Sequence, residues 1–243
     1  MGASRGLGRG IAAALARERA RVAIASRSAE RIEGTAAELH EETGGDVRAF
    51  TADTADLDAL RALVADVSEA LGPIDILVTN TGGPPPGDPL VFERQDWEAA
   101  YRSLVLAPME LIKAVVPAMR ERRWGRIVNV TSVSTKEPIE GLVLSNSHRL
   151  AAVGAFKTLA RQLPREGILL NSAAPGRIAT DRIAELSGTP LEELRTAAQP
   201  DIPVGRLGSI EEFADVVAFL CSERASYVCG VNLLVDGGLT RGI

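Results

Sequence analysis

Met1-Gly2-Ala3-Ser4-Arg5-Gly6-Leu7-Gly8 opens the chain. Gly2, Gly6 and Gly8 are spaced so that the backbone can turn tightly, approach a pyrophosphate without Cβ atoms in the way, and open a helix whose first amides face the anion. The residues beyond carry that helix, with Leu7, Ile11 and Leu15 at four-residue spacing, and Val22 to Ala25 then reads as a short buried strand. A glycine triplet alone fits a plain coil as well, so its surroundings decide. No strand precedes the loop to deliver it. In a doubly wound sheet that strand is central, and without it the neighbours keep unpaired backbone groups that cost about 1 to 3 kcal/mol each when buried. The expectation is therefore that Met1 is an internal residue of a strand-to-loop junction and that the natural start lies upstream.

Working outward, strand-like runs at Val22 to Ala25, Val47 to Phe50, Ile74 to Val78, Arg126 to Val130, Ile168 to Ser172 and Val231 to Val235 alternate with helical patterns. The helical segments are Ala29 to Glu42, Asp56 to Leu71, Asp96 to Arg122, Ser145 to Gln162 and Ile210 to Ser222. Such alternation predicts an α/β fold, a doubly wound parallel sheet of Rossmann type with helices on both faces and its first strand missing at the N-terminus. No linker or repeat divides residues 1–243, so a single domain is expected. Pro84-Pro85-Pro86 is a stiff turn, and Ile178 to Pro200 is a polar, helix-prone excursion. Each reads either as a connector or as a pocket wall, because loops beyond strand C-termini line ligands in open α/β sheets.

A chain of 243 residues with 46% hydrophobic residues can bury one sizeable core. Net charge is −5 with basic residues spread along the chain, which argues against nucleic acid or a polybasic membrane surface and favours a small-molecule substrate. No apolar run approaches the ~18 residues of a bilayer span. Two cysteines, Cys221 and Cys229, are too few for a disulfide framework or a zinc site; they read as reduced core thiols, no metal is expected, and the cytoplasm is the expected compartment.

Taken together, these landmarks resemble the short-chain dehydrogenase/reductase family, and its 3-oxoacyl-[acyl-carrier-protein] reductase branch in particular, over Gly2 to Gly238. The glycine loop matches the family's TGxxxGxG with Met1 in place of Thr. Asp53 ends a strand where the family contacts adenine, Asn80-Thr81-Gly82-Gly83 stands for NNAG, Pro175-Gly176 follows the sixth strand of the family, and Asp236-Gly237-Gly238 closes the last. The resemblance implies cofactor contacts from Gly2, Ser4, Arg5, Gly6, Leu7, Gly8, Ser26, Arg27, Asp53, Thr54, Asn80, Thr81, Gly82, Arg149, Pro175, Gly176, Ile178 and Thr180. NAD-preferring sites place a carboxylate at the end of the second strand; here stand Ser26 and Arg27, with Arg5 as a second guanidinium, so NADP(H) is the expected cofactor.

The catalytic positions depart from the family, whose pattern is a Ser, a Tyr thirteen residues on, a Lys four beyond, and an Asn on the preceding long helix. Ser132 matches the Ser, but the Tyr position is Ser145, the Lys position Arg149 and the Asn position Leu104. A phenol lowered by a nearby Lys gives acid/base help worth about 10² to 10⁴ in rate, and an aliphatic hydroxyl cannot inherit that role. Arg149 stays cationic and can clamp ribose without relaying protons. His148, three residues after Ser145, is the one nearby group that titrates close to neutral pH, although a lone helix His more often packs. Tyr101 and Lys136 are weaker candidates, and Lys157 lies about 12 Å along the helix from Arg149.

The expected function is NADP(H)-dependent oxidoreduction of a carbonyl or alcohol, with Ser132 polarising the oxygen, Arg149 clamping ribose and the proton coming from water or His148. The alternative is a degenerate member in which Ser132, Ser145 and Arg149 bind an anionic ligand for a lyase, an isomerase or a sensor. The resemblance also implies a homodimer or homotetramer.

Overall fold

In a computed structural model, which describes residues 1–242, six parallel strands alternate with nine α-helices. The glycine loop leads into α1 (Gly6–Arg17), and then come β1 (Val22–Ser26), α2 (Ala29–Thr43), β2 (Val47–Thr51), α3 (Leu57–Leu71) and β3 (Ile76–Thr79). The second half holds α4 (Arg94–Tyr101), α5 (Ala107–Arg122), β4 (Gly125–Val130), α6 (Val143–Gln162), β5 (Ile168–Pro175), α7 (Asp181–Ser187), α8 (Leu191–Thr196), α9 (Ile210–Cys221) and β6 (Asn232–Val235). Each apolar run identified above is a strand, with ends shifted by three residues at most.

All pairings are parallel. Two layers of helices cover the strands: α3, α5 and α6 pack with Ile127, Ile168 and Leu170 on one face, and α1 and α9 pack with Val128, Val130 and Ala173 on the other. β4 is buried along its whole length and β5 through Ala174, and their polar members Arg126, Asn129, Asn171 and Ser172 are buried with the apolar ones. Each fully buried Leu or Ile contributes about 1.5 to 3 kcal/mol over leaving it in water.

The sheet is not continuous. β1 pairs with β2 alone, and β3 heads a separate set ordered β3-β4-β5-β6. Between β1 and β3, where the sequence reading expects a strand, lies a cavity of about 270 Å³.

The expected helical segment Asp96 to Arg122 is helical throughout, as part of a continuous run over residues 94–122, and within it a π-helical turn, Arg102–Leu106, lies between α4 and α5. Periodicity cannot show a one-residue widening that changes no residue type, and such turns recur at functional sites. The excursion Ile178 to Pro200 holds α7 and α8, as its helix-prone composition predicts.

Candidate active site

At the carboxyl ends of β1 and β3 the opening octapeptide folds into a tight loop. Gly2 has φ +59°, and a Cβ there would lie 2.6 Å from the Asn80 carbonyl oxygen. Gly8 sits so close to the Gly2 carbonyl that no side chain fits. The Asn80 side-chain amide donates to that same carbonyl at 3.2 Å, tying the loop to the end of β3. Helix α1 starts behind Arg5 with no side-chain cap and no acidic residue in its first turn, so its first amides stay available for an anion. Thr180 stands over the loop, its methyl 3.8 Å from where a Gly6 Cβ would be, and the Thr35 hydroxyl lies 2.8 Å from the Arg31 carbonyl and 3.2 Å from that of Ser4, which share its one hydrogen.

Most of the other expected contact residues lie at or just beyond the carboxyl ends of strands. Thr81 is buried behind Asn80, and Gly82 has open space where a side chain would be. Asp53 accepts from the Ala55 amide and marks, with Thr54, the turn after β2. Ile178 is buried and bridges to Gly208, while Pro175 and Gly176 end β5 against Asp236. At the end of β1, Ser26 donates to the Ser28 carbonyl, and no acidic residue follows before Glu30 in α2. Arg27 is exposed and makes no ion pair among the described residues, whereas Arg5 is drawn to Asp181 and Glu185 at 3.3 and 3.5 Å. That pair is solvent-exposed and weak. Arg27 is thus the freer of the two guanidiniums.

The catalytic candidates fall into two groups. Ser132 lies two residues beyond β4 as N-cap of a short 3₁₀ turn, its Oγ accepting from the Ser134 amide at 3.1 Å. Ser145, buried in the first turn of α6, has its Oγ accepting from Arg149 Nε at 3.2 Å. A second nitrogen of Arg149 donates to the Val130 carbonyl at 2.9 Å, two residues before Ser132. Arg149 thereby links the Tyr-position residue to the strand that carries Ser132. No carboxylate pairs with it among the described residues, and burial, with Arg182 nearby, pushes its pKa down to about 10. It remains a cation at neutral pH.

His148 departs from expectation. Its Nδ1 lies 2.7 Å from the Leu144 carbonyl and can only donate there, and its ring packs between Trp97 and Tyr101 of α4, centroids 5.7 and 6.2 Å apart. No hydrogen bond joins it to Ser132 or Ser145. Three-residue spacing made it a neighbour of Ser145 along the helix, but α4 draws the ring to its own side. Tyr101 is its half-exposed packing partner. Lys157 donates to the Gly230 carbonyl at 2.8 Å, and Lys136 is exposed. Leu104 is buried within the π turn. Missed in the sequence was Arg182, which donates to the Pro84 carbonyl at 2.9 Å and so ties α7 to the proline turn; nothing in its local pattern distinguishes it from a solvated helix arginine.

Comparison with known proteins agrees with this architecture. The family model described as Enoyl-(Acyl carrier protein) reductase matches residues 2–240. The chain is 34% identical over 238 residues to the 3-oxoacyl-[acyl-carrier-protein] reductase FabG of Aquifex aeolicus, covering 98% of this chain and 94% of that one. It is 32% identical over 240 residues to Nodulation protein G of Azospirillum brasilense, covering 98% and 95%. Among solved structures, YwfH, an NADPH dependent reductase involved in bacilysin biosynthesis, superposes with a TM-score of 0.93 at 29% identity, covering 100% of this chain and 97% of that one. L-sorbose reductase from Gluconobacter frateurii, complexed with NADPH and L-sorbose, gives 0.91 at 30%, covering 100% and 95%. The chain belongs to the short-chain dehydrogenase/reductase family, a family of oxidoreductases.

Proposed function

We propose that this chain is an NADP(H)-dependent oxidoreductase acting on a carbonyl or alcohol, with the proton exchanged with water rather than with a side chain. The observation that carries the cofactor reading is the end of β1, where Ser26 and an Arg27 with no ion pair among the described residues stand in place of an acid. A carboxylate there would accept from a ribose 2′-hydroxyl and repel a 2′-phosphate; a guanidinium does the reverse. The residues present fit a dinucleotide: the cradle at Gly2 and Gly8 admits no side chain, and the uncapped start of α1 offers amides to a pyrophosphate. Gly6, Leu7 and Gly8 would face the phosphates, Asp53 and Thr54 the adenine, Asn80, Thr81 and Gly82 the central ribose, and Pro175, Gly176, Ile178 and Thr180 the nicotinamide end. When bound, the nicotinamide would donate or accept hydride.

Within the chain, Ser132 Oγ polarises the substrate oxygen, and Ser145 Oγ, held by Arg149 Nε, keeps a hydrogen free to donate to the same oxygen. Arg149 supplies positive charge where alkoxide character develops, without giving up a proton at neutral pH. FabG and the NADPH reductases above are named for reductions, which supports this direction for the present chain. The homo-oligomer implied by the family resemblance belongs to the same proposal.

The test is a fluorescence titration with NADPH and NADH. NADPH should bind at least about tenfold tighter, and Arg27→Ala should erase most of that preference by weakening NADPH alone, as loss of one charge-assisted contact predicts. Equal or tighter NADH binding in the unmodified chain defeats the cofactor reading.

The lack of a carboxylate beside Arg149 favours a second reading, a pocket for a carboxylate or phosphate ligand in a lyase, isomerase or sensor. Deuterium passing from labelled NADPH into a product decides for redox, and its absence with every carbonyl substrate offered decides for the second.

A further inference from the structure

Helix α7 sends opposite charges to its two sides. Asp181 and Glu185, four residues apart on one face, both reach Arg5 of the glycine loop, at 3.3 and 3.5 Å. Arg182, about 100° round the helix from Asp181, reaches the proline turn instead. Its Nη2 donates to the Pro84 carbonyl at 2.9 Å, and its guanidinium lies against Gly83, where a Cβ would stand 3.3, 3.5 and 3.6 Å from Nη2, Nε and Cζ. Gly83 follows the Asn80-Thr81-Gly82 segment beyond the carboxyl end of β3. The cation is thereby held at the same rim of the sheet as Ser132, which lies beyond the end of the neighbouring strand β4.

Arg149 stands at this rim too. Its Nε and Nη1 are engaged by Ser145 and by Val130, the last residue of β4. Arg182 is near enough for its charge to add to burial in holding the Arg149 pKa below the ordinary value. Two guanidiniums thus share one cleft with little to neutralise them. No carboxylate pairs with Arg149 among the described residues, and Arg182 has only Glu185, 3.8 Å away with both side chains part exposed, a pairing of small worth. One of the five N–H groups of Arg182 is bonded within the described residues, which leaves four for a ligand or water. Like charges brought together without a counter-ion cost free energy that an anion beside them removes. The pyrophosphate of a dinucleotide has its own seat, the glycine loop and the first amides of α1, on the side of α7 that carries Asp181 and Glu185. The substrate is then the source of the anion.

We propose that Arg182 is a specificity-determining residue that binds a carboxylate on the substrate, so that the carbonyl compound taken by this site is an oxo acid, with its carbonyl oxygen at Ser132 and Ser145 and its carboxylate at Arg182. The guanidinium fork matches a carboxylate with two parallel N–H bonds. A methyl ester of the same acid keeps the carbonyl contacts and loses the charged ones. The role of the carbonyl rests on the oxidoreductase reading; the carboxylate site does not.

The test pairs pyruvate, acetoacetate and levulinate, which move the carbonyl one carbon at a time away from the carboxylate, with their methyl esters. Each is titrated calorimetrically into the chain with and without NADP⁺, and each is offered for reduction with NADPH. At least one acid should bind at least about tenfold tighter than its ester and show the same preference in kcat/KM, carried by KM. Arg182→Gln, which keeps a donor for the Pro84 carbonyl and removes the charge, should erase that preference, and Arg182→Lys, which keeps the charge without the fork, should restore part of it. NADPH affinity, read by fluorescence, should be the same in Arg182→Gln as in the unmodified chain. No acid preferred over its ester, in binding or in rate, overturns the carboxylate site. A preference that survives in Arg182→Gln places the carboxylate elsewhere and overturns the role of Arg182. Weaker NADPH binding in Arg182→Gln, with no rescue by Lys, makes the residue a cofactor ligand or a structural tie and overturns that role as well. Acid-selective binding that depends on Arg182, with none of the probes reduced, upholds the carboxylate site and defeats the oxidoreductase reading instead.

Discussion

Arg149 is the residue where the departure from the family pattern has a physical consequence that can be measured. Its folded pKa, about 10, lies below the ordinary arginine value of 12.5, so folding disfavours the charged form. That handicap is complete below pH 10 and disappears as pH rises from 10 to 12.5, because over that window the unfolded chain holds more protons than the folded one. Arg149→Met keeps the aliphatic volume and removes the charge, at the cost of the hydrogen bonds to Ser145 and Val130. At neutral pH we expect Tm to rise by about 2 to 4 °C, equivalent to about 1 kcal/mol in a chain of this size, while NADPH affinity falls about tenfold. Calorimetry with a parallel titration reads both. A lower Tm would mean that the two hydrogen bonds outweigh the buried charge. Lys in the same place would be a subtler change, since a single ammonium cannot reach both acceptors with the fork geometry that Arg149 uses.

At the level of elements, helix α9 shows how local chemistry sets a boundary. Ser209 Oγ accepts from the Glu212 amide and the Glu212 carboxylate accepts from the Ser209 amide, a reciprocal cap that starts the helix after Gly208. Arg206 adds two contacts at 2.9 and 2.7 Å, and together these hold the Glu212 carboxyl down at about 2. A carboxyl lowered on folding contributes stability above its unfolded pKa, near 4.5, and loses it as pH falls toward 2. Glu212→Gln should therefore lower Tm at pH 7 by a few degrees, with the gap to the unmodified chain closing between about pH 4.5 and 2; a gap unchanged at pH 2 would show that the loss is not one of charge. Boundaries of this kind were legible in the sequence because capping residues and glycines are local. The π turn at Arg102–Leu106 was not, because the widening changes no residue type, nor was the turning of His148 toward Trp97 and Tyr101, because that arises from α4 and α6 packing on one another. The placement of Arg149 was half legible: its spacing from Ser132 and Ser145 put it in the right turn, but its bond to the Val130 carbonyl is a long-range contact.

For the molecule as a whole, the division of the sheet decides how it opens. The alternation of strand and helix made the winding legible; that β1 and β3 would keep their places on either side of a cavity was not, since it depends on packing by α1, α3 and α5. β4 and β5 are paired on both sides and buried against helices on both faces, whereas β1 is paired only to β2, whose residues are half exposed or exposed. The unit of β1, β2 and α2 is thus connected to the rest through α1 and side-chain packing rather than through a hydrogen-bonded ladder. Local stability follows paired backbone and buried apolar contact, so this unit should open below the free energy of global unfolding. Native-state hydrogen exchange should find the ladder amides of Ile24 and Phe50 protected at least about tenfold less than those of Ile127 and Ala173, with a denaturant dependence smaller than that of the core strands. Identical protection and identical denaturant dependence in the two sets would mean that helix packing alone makes the divided sheet a single cooperative unit, with α1, lying against α2 on one side and α9 on the other, carrying the cooperativity.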